Sequence, residues 1–476
     1  MAPLGSRLID EGHNVSTWET FFSLSTLNDK RIHCYFSPVT TTEQWMLDGF
    51  VHNNDTSFTA SLWKSRTSGN LIVGLAWTLA TKFCQMALQQ RLEDFEHLTS
   101  QKWDVVVMDP LFIPCGILIS KRIKKPVMLY STSHVHPYTL RSQGVPIPLA
   151  IAPHANLLKY SHTDFWDRLE ELWTWTISHY FFVKGLNLYM NFMLGSLTPV
   201  SPTLDYEKES TFLMDSLVSR LIEPVPESPT YKHIGNLNCS AMNFRTELKS
   251  QELIDFVEDP RSKGTIIAAF GHMANFDSAL PNVVPALHEG FKRLKDYRII
   301  WQYTGPPLAE ISHIKLLRWL PQTELLHHPK TKVFLTHAGL KSLLEGICAE
   351  VPLLGMPIYA EQFGNTRTVI VRHKLGGSLD KFTLSSEAVY ETIQQIVNNF
   401  AVHQQNVARA ASIMGDLIQP ALEEGSFWTQ FIMKHSDEMH ILQSRSKSQG
   451  WTVYFLLDVI TPFSSLIFML AYIHGK

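Results

Sequence analysis

The sequence predicts an α/β protein with two doubly wound, Rossmann-like halves that face each other across a cleft. Two observations support this prediction. Short apolar runs alternate with helical patterns in both halves of the chain, and residues 221–240, which are rich in proline, separate the halves. Strand–helix–strand spacing of this kind gives parallel strands, and two such halves leave a ligand crevice between them.

Composition restricts the possible classes of protein. The chain has 476 residues and a formal net charge of −3, which fits two or three globular domains. It has no long basic run, so a nucleic-acid partner receives no support. The cysteines show neither a CxxC pair nor metal-ligand spacing, and their odd number predicts buried thiols rather than a disulfide framework. They are Cys34, Cys84, Cys115, Cys239 and Cys348.

The first half, residues 1–220, opens with a helical pattern that ends at Gly12 and shows no apolar segment of a signal peptide. "WDVVVMDPLF" and "KKPVMLYSTS" are predicted strands on either side of the helical "PCGILISKRI", and the first strand stops at Asp109. The aromatic-rich residues 165–195 have three interpretations: an apolar substrate cleft, a membrane contact or simple core.

The second half, residues 241–382, repeats the alternation. Its predicted strands are "GTIIAAFG", "YRIIWQYTG", "TKVFLTHAG" and "VPLLGMPI", with helices such as "KSLLEGICAE" between them. Helices follow over 383–450. Residues 451–473 carry one charge, Asp458, and have the length of a transmembrane helix, with a buried C-terminal helix as the alternative.

Polar residues follow the predicted strands of the second half at positions that suit a nucleotide-sugar. The turn at His337 and Gly339 joins a strand to a helix, where free backbone N–H groups favour a diphosphate. Trp319 can stack on a base, and backbone N–H groups near Gln322 can form hydrogen bonds with the edge of that base.

Three further side chains lie downstream. Glu345 can accept hydrogen bonds from both ribose hydroxyls, and Glu361 with Gln362 can bind sugar hydroxyls, since carboxylates accept and amides both accept and donate. Together with the His337 turn, these residues form one long pattern with fixed spacings over residues 319–363.

This pattern resembles the signature of the UDP-glycosyltransferase family: W-x-P-Q, H-[GA]-G-x-x-S-x-x-E, G-V-P-x-x-x-x-P and [DE]-Q. "GHNVS", "WDVVVMDPLFIPCG" and the C-terminal apolar segment also lie where the family has counterparts. The resemblance implies the GT-B fold, with the acceptor in the first half and the donor in the second. It also implies no cofactor and no catalytic metal, since the UDP-sugar is a co-substrate.

The expected reaction is inverting transfer of glucose or glucuronate from the UDP-sugar to a hydroxyl of a small lipophilic acceptor, as in detoxification. Membrane-bound family members imply a single-pass protein, in the endoplasmic reticulum with a lumenal body if a signal peptide is restored. Without a signal peptide, the terminal helix would be a tail anchor with a cytosolic body. Sequons at Asn14, Asn54 and Asn238 are compatible with that location. The oligomeric state is left open, a homo-oligomer included.

The resemblance assigns one catalytic residue and a set of donor-binding residues, position by position. Asp109 would orient the catalytic histidine, because a carboxylate at the carboxyl end of a strand is placed to hold an imidazolium; a helix-capping role is the alternative. The residues to which the resemblance assigns the donor are Gly271, His272, Lys315, Trp319, Gln322, His337, Gly339, Lys341, Ser342, Glu345, Glu361 and Gln362.

Four positions depart from the family pattern. His272 stands where a serine is usual, and Lys341 where an asparagine is usual; a lysine still suits a diphosphate. Ala338 replaces a glycine, a tolerable change if the position needs no positive φ. Glu361 replaces the commoner aspartate, which leaves the choice between glucose and glucuronate open.

The family's base histidine would fall just upstream of Met1, together with the signal peptide and first strand. We therefore expect the chain to be an N-terminally truncated form of a complete enzyme, poorly soluble and nearly inactive as written. The alternative is a catalytically inactive member that binds a UDP-sugar or a partner.

Overall fold

The structure is a computed structural model that describes residues 2–21, 29–38, 58–65, 69–110, 114–132, 135, 137–146, 160–177, 183–195, 210–215, 220–222, 226–235, 247–271, 274–454 and 456–474. Helices and short strands alternate along these residues. The strands are β1 (Ser16–Phe21), β2 (His33–Pro38), β3 (Val106–Met108), β4 (Val127–Ser131), β5 (Ser210–Asp215), β6 (Tyr231–His233), β7 (Thr265–Ala269), β8 (Arg298–Gln302), β9 (Ile314–Leu317), β10 (Thr331–Thr336), β11 (Leu353–Gly355) and β12 (Gly376–Ser378).

The α-helices cover the strands and extend beyond them at the C-terminal end. A π-helix, Thr366–Val371, directly follows the short α-helix Gln362–Asn365. The α-helices are α1 (Ala2–Asp10), α2 (Phe58–Lys64), α3 (Gly69–Gln90), α4 (Leu92–Ser100), α5 (Pro114–Ile123), α6 (Pro137–Ser142), α7 (Phe165–Ile177), α8 (Lys184–Gly195), α9 (Gln251–Val257), α10 (Val283–Arg293), α11 (Gln322–Leu326), α12 (Leu340–Cys348), α13 (Gln362–Asn365), α14 (Ser386–Asn398), α15 (Phe400–Gly415), α16 (Ala421–Lys434), α17 (Met439–Leu442), α18 (Trp451–Tyr454) and α19 (Leu457–His474).

The second half contains a parallel sheet in the order β12-β11-β10-β7-β8-β9. Its central strands are buried on both faces, which is why β7 (TIIAA) and β10 (TKVFLT) are almost continuously apolar. The strand order reverses between β7 and β10, since β8 and β9 lie on one side and β11 and β12 on the other. Ligands bind at such a reversal, outside the carboxyl ends of the strands.

The first half contains two separate parallel sheets among the described residues. One has the order β3-β4-β5-β6, and β1 pairs only with β2 in the other. The C-terminal helices return to this half. On α16, Glu423 pairs with Arg7 of α1 at 2.7 Å, and Gln430 donates to Glu11 at 2.7 Å. Leu4 and Leu8 belong to the same apolar cluster as residues of β4, β5 and α16.

The predicted elements of both halves are confirmed. The strands of "WDVVVMDPLF" and "KKPVMLYSTS" are β3 and β4, the helix between them is α5, and the four strands predicted in the second half are β7, β8, β10 and β11. The first helix ends as predicted, because Gly12 adopts a φ of +92° that an L residue disfavours. Five strands outside the predicted linker were not predicted: β1, β2, β5, β9 and β12. A sixth, β6, lies inside residues 221–240, the predicted linker.

The described residues of the aromatic-rich segment form α7 and α8, and the tryptophans of α7 differ in exposure. Trp175 is buried, but Trp166 and Trp173 are 71% and 66% exposed on α7. Burial in the core therefore accounts for Trp175 but not for the two exposed tryptophans of this helix.

The C-terminal apolar segment, predicted as one transmembrane helix over 451–473, is divided into α18 and α19. Leu456, between them, has a φ of +54°, and Pro462 lies inside α19. In the described part of the chain no helix has both the length and the apolar character needed to cross a bilayer. The prediction of a membrane-spanning helix is thus not confirmed.

The prediction of buried thiols without disulfides is wrong. Cys84 of α3 and Cys115 of α5 form a disulfide with a Cα–Cα distance of 5.3 Å, and Cys348 is disulfide-bonded as well. Among the described cysteines, Cys34 keeps its thiol. The number and spacing of the cysteines did not indicate this bond, because Cys84 and Cys115 are 31 positions apart and meet only where α3 packs on α5.

Candidate functional site

The candidate site lies at the reversal of strand order, where β7 and β10 end side by side. Strand β10 ends at Thr336, and α12 begins at Leu340 with Gly339 as its N-cap. The turn between them places Ala338 at a φ of +61°, in the left-handed region. Its carbonyl accepts a hydrogen bond from Asn365 at 2.9 Å, and its N–H donates to Thr336 Oγ1 at 3.3 Å. The turn is therefore held from both sides despite its unfavourable backbone.

The ring of His337 packs between two glycines at this turn. A Cβ added at Gly271 would lie 2.9 Å from its Cε1, and one added at Gly339 would lie 2.5 Å from its Nε2. The residue is only 9% exposed, and its Nδ1 atom is buried with no hydrogen-bond partner. A buried polar atom without a partner is costly, so this site favours a ligand that supplies one.

Burial lowers the pKa of His337 to about 4, opposed by a hydrogen bond with the backbone of Ala269. The imidazole is neutral at physiological pH. In the tautomer that carries its single proton on Nδ1, the neutral ring can donate a hydrogen bond to an anion, although it adds no positive charge. The N-terminus of α12 is the source of positive potential at this point.

A second group of polar side chains lies on α11 and α12. Gln322 Nε2 donates hydrogen bonds to the Glu345 carboxylate and, at 3.3 Å, to Ser342 Oγ. Burial raises the pKa of Glu345, and the Gln322 hydrogen bond opposes that shift. Trp319, just before α11, is 69% exposed, so its ring is open to a planar ligand. The structure thus brings together Gln322, Ser342 and Glu345 as the sequence predicted.

The turn from Ile358 to Gln362 forms the next part of the site. Gln362 is buried, and its Oε1 accepts hydrogen bonds from Ile358 N at 2.9 Å and Tyr359 N at 3.0 Å. The carboxamide oxygen predicted to bind sugar is therefore used to hold the turn. Glu361 is half-buried, and burial raises its pKa.

The two predicted lysines differ in position: Lys341 is close enough to Glu345 for its charge to oppose the rise in the pKa of that carboxyl, whereas Lys315 lies elsewhere. Lys341 is exposed on the first turn of α12. Lys315 donates to Glu252 at 2.6 Å and lies 5.1 Å from the Phe256 ring, so its contacts are with α9 rather than with the other predicted residues. His272 lies outside the described residues.

Asp109 lies in the other half, directly after β3, and accepts a hydrogen bond from Thr132 Oγ1 at 3.0 Å. Both residues follow parallel strands, so they lie at one carboxyl edge. Asn365, which fixes the His337 turn through Ala338, was not predicted from the sequence. Its position three residues after Gln362, on the same short helix, was the available signal.

Two Rossmann-like halves, with the His337 turn and a carboxylate–amide cluster at one strand-order reversal, have the architecture of the GT-B glycosyltransferase fold. The solved structures to which the chain is similar agree on this fold. Os79 from O. sativa, in complex with U2F and trichothecene, has a TM-score of 0.58 and 16% identity, with 92% of this chain and 97% of that chain covered. Phytolacca americana UGT2, complexed with UDP-2fluoro-glucose and pterostilbene, has a TM-score of 0.57 and 14% identity, with 91% and 94% covered.

The family itself is established by sequence. A family model described as UDP-glucoronosyl and UDP-glucosyl transferase matches residues 4–476, and the chain belongs to this family of UDP-sugar glycosyltransferases. Similar relatives include UDP-glucuronosyltransferase 1A7 of Mus musculus, 26% identical over 433 residues, with 88% of this chain and 78% of the relative covered. UDP-glucuronosyltransferase 1A9 of Homo sapiens is 26% identical over 387 residues, with 80% and 70% covered.

Proposed function

We propose that this protein transfers glucose or glucuronate, with inversion, from a UDP-sugar to a hydroxyl of a small lipophilic acceptor. The main supporting observation is the buried Nδ1 of His337, which has no partner and lies beside the N-terminus of α12. A neutral donor next to a helix N-terminus suits the diphosphate of a UDP-sugar.

Each part of the donor has a candidate partner. The N–H groups at the start of α12 and the His337 imidazole donate to the diphosphate, and exposed Lys341 adds charge at its edge. Glu345, oriented by Gln322, accepts from the ribose hydroxyls. The open face of Trp319 stacks on uracil.

The transfer step needs a base and a stabilised leaving group. Glu361 binds sugar hydroxyls from the turn that Gln362 holds in place. The resemblance implies that the base is a histidine oriented by Asp109 and expected upstream of Met1. That histidine would take the proton of the acceptor hydroxyl as the hydroxyl oxygen attacks the anomeric carbon, which typically contributes about 10²–10⁴-fold. The bond to UDP breaks, and the α12 N-terminus with the His337 hydrogen bond stabilises the charge that develops on UDP.

Calorimetry with UDP, UDP-glucose and UDP-glucuronate, followed by transfer assays on a panel of lipophilic phenols, tests this proposal. We expect binding of UDP, and His337→Ala and Glu345→Ala should each weaken it, whereas the exposed His162→Ala and Glu438→Ala should not. Binding without transfer would favour the inactive UDP-sugar-binding member. Failure to bind any of the three nucleotides would overturn the donor assignment.

We also propose that the body of the protein faces the lumen of the endoplasmic reticulum. The Cys84–Cys115 disulfide supports an oxidising compartment, and the sequon residue Asn14 is exposed after α1. Expression in mammalian cells with glycosidase treatment tests this proposal. A mobility shift that disappears when the asparagines of the sequons at Asn14, Asn54 and Asn238 are replaced is expected, and an unshifted protein with reduced cysteines would contradict it.

A further inference from the structure

Lys381, between β12 and α14, is a lysine whose side chain is 0% exposed. Lysine is almost never fully buried unless its ammonium group has partners, because removing a charge from water is costly. Its Nζ donates to two backbone carbonyls, Leu62 O at 2.9 Å and Ile358 O. The rings of Phe382 and Phe363 lie 4.8 and 5.8 Å from Nζ.

The two carbonyls belong to different halves of the molecule. Leu62 lies on α2, in the first half, and Ile358 opens the turn that carries Glu361 and Gln362. The next residue on α2, Trp63, is also fully buried: its Nε1 donates to Asn275 O at 2.9 Å, and its ring lies 5.7 Å from Phe276. Helix α2 is therefore inserted into the apolar cluster of the second half.

In the turn Ile358–Gln362, both the N–H and the carbonyl group of Ile358 are hydrogen-bonded. Gln362 accepts from the Ile358 N–H, and Lys381 donates to the Ile358 carbonyl. The same turn contains Ala360 at a φ of +51°, an unfavourable conformation that the surrounding contacts must maintain. Removing the Lys381 hydrogen bond would release one of these restraints.

We propose that Lys381 is a positioning residue that fixes the donor-sugar turn, Ile358–Gln362, relative to helix α2 of the acceptor half. The sugar-binding side chains and the acceptor side of the cleft are then set by one buried amine. This inference rests on the proposed function, since it assumes that the turn binds the donor sugar.

The electrostatics of the site suit this role. Burial lowers the pKa of Lys381 to about 7, opposed by attraction to Asp380. Near neutral pH the amine therefore exists in both forms. The neutral form still has two N–H donors, which match the two carbonyl oxygens, so the connection between α2 and the turn is kept when the proton leaves.

Lys381→Met in the full chain tests the proposal, with Lys292→Met on the surface of α10 as the matched control. The measurements are the affinities for UDP, UDP-glucose and UDP-glucuronate and the hydrogen exchange of residues 58–64 and 356–365. The sugar-dependent gain is the ratio of the affinity for a UDP-sugar to the affinity for UDP. We expect Lys381→Met to leave the UDP affinity within about twofold and to lower the sugar-dependent gain by about tenfold. Hydrogen exchange should be faster in both segments. The control should change none of these.

Unchanged exchange of α2 and an unchanged sugar-dependent gain in Lys381→Met would overturn the proposal. If that variant does not fold, Trp63→Phe, which removes the indole N–H and keeps an aromatic ring, takes its place. Trp63→Phe should loosen α2 and reduce the sugar-dependent gain; a loosened α2 with an unaltered gain would show that α2 and the turn are not coupled.

The failure of the proposed function is distinguishable from the failure of this inference. If the wild-type chain binds neither UDP nor either UDP-sugar, the donor assignment fails, and the exchange data alone decide whether Lys381 connects α2 to the turn. Faster exchange in both segments would then support the connection, and exchange equal to the wild type would exclude it.

Discussion

At the scale of single residues, the site depends on burial more than on charge. His337 is the clearest case, because its burial between Gly271 and Gly339 makes it a neutral donor rather than a cation. The motif predicts that a histidine stands at this turn, but it does not determine the protonation state of that histidine. The protonation state is set by the packing of the two glycines against the ring.

We expect His337→Ala to weaken UDP-glucose binding by roughly tenfold to a hundredfold, the usual effect of losing one hydrogen bond to a charged group. Because His337 is neutral well above a pKa of about 4, wild-type affinity should stay level between about pH 6.5 and 8. Calorimetry at several pH values measures both effects. A steep loss of affinity as pH rises through this range would show that the bound ring is a cation.

Ala338 allows a second prediction at this scale. Its φ of +61° is costly for an L residue and far more so for a β-branched one, and the residue is fully buried. Ala338→Val should therefore lower the free energy of unfolding by at least about 2 kcal/mol. Ala338→Gly should stay within about 1 kcal/mol of wild type, because relief of strain offsets lost burial and added chain entropy. Denaturation curves of the two variants measure their free energies of unfolding. Equal values would refute this prediction.

At the scale of elements, β5 and β6 are joined by a buried ionic group. Asp215, 0% exposed at the end of β5, accepts from Tyr231 OH at 2.5 Å and contacts His233 Nδ1 at 2.9 Å. Burial disfavours the charged imidazole, but attraction and hydrogen bonding to Asp215 outweigh it, with Glu227 assisting and Lys232 opposing. The pKa of His233 is raised above 6.5 as a result.

A raised histidine pKa stabilises the fold fully below the unfolded value of 6.5, and the contribution is lost as pH rises through the folded value. His233→Gln should consequently lower the melting temperature more at about pH 6 than at about pH 8.5. The exposed His162→Gln serves as the control. A deficit for His233→Gln that grows with pH would contradict this assignment.

Helices α3 and α5 are connected by the Cys84–Cys115 disulfide, whose cysteines are 31 positions apart in the sequence. The chain-entropy relation gives about 3–4 kcal/mol of stabilisation for a loop of this length. We expect Cys84→Ala/Cys115→Ala to lose stability of this order in urea denaturation. Cys34→Ala, which removes a thiol outside any disulfide, should be close to wild type.

At the scale of the whole molecule, the two halves are connected both by helices and by single side chains. Helix α16 packs back on α1, and α2 inserts Trp63 into the core of the second half. Neither contact follows from the alternation of strands and helices, since both depend on how the halves face each other.

Trp63→Ala should accordingly destabilise the protein by about 3–5 kcal/mol, because a fully buried indole and its hydrogen bond are lost together. Trp166→Ala, at a position 71% exposed, should change stability by less than about 0.5 kcal/mol. Chemical denaturation of both variants gives the comparison. Equal losses would mean that α2 does not dock as described.

The sequence by itself determined the α/β class, the main strands and the family, because buried parallel strands are continuous apolar runs and the residues from Trp319 to Gln362 keep fixed spacings. Local periodicity and spacing suffice for features that lie on one strand or one turn. The short strands β6, β9 and β12 escaped prediction, since three or four residues carry too little pattern. Strands β1, β2 and β5 escaped it as well, because STWETF, HCYFSP and STFLMD mix polar with apolar residues.

Only the tertiary structure decided which residues meet across long separations. The disulfide between α3 and α5, the neutral state of His337, the contact of Lys315 with Glu252 and the burial of Lys381 between the halves all depend on packing. A side chain's pKa and partners are set by the groups that surround it in space, and sequence spacing does not record those groups.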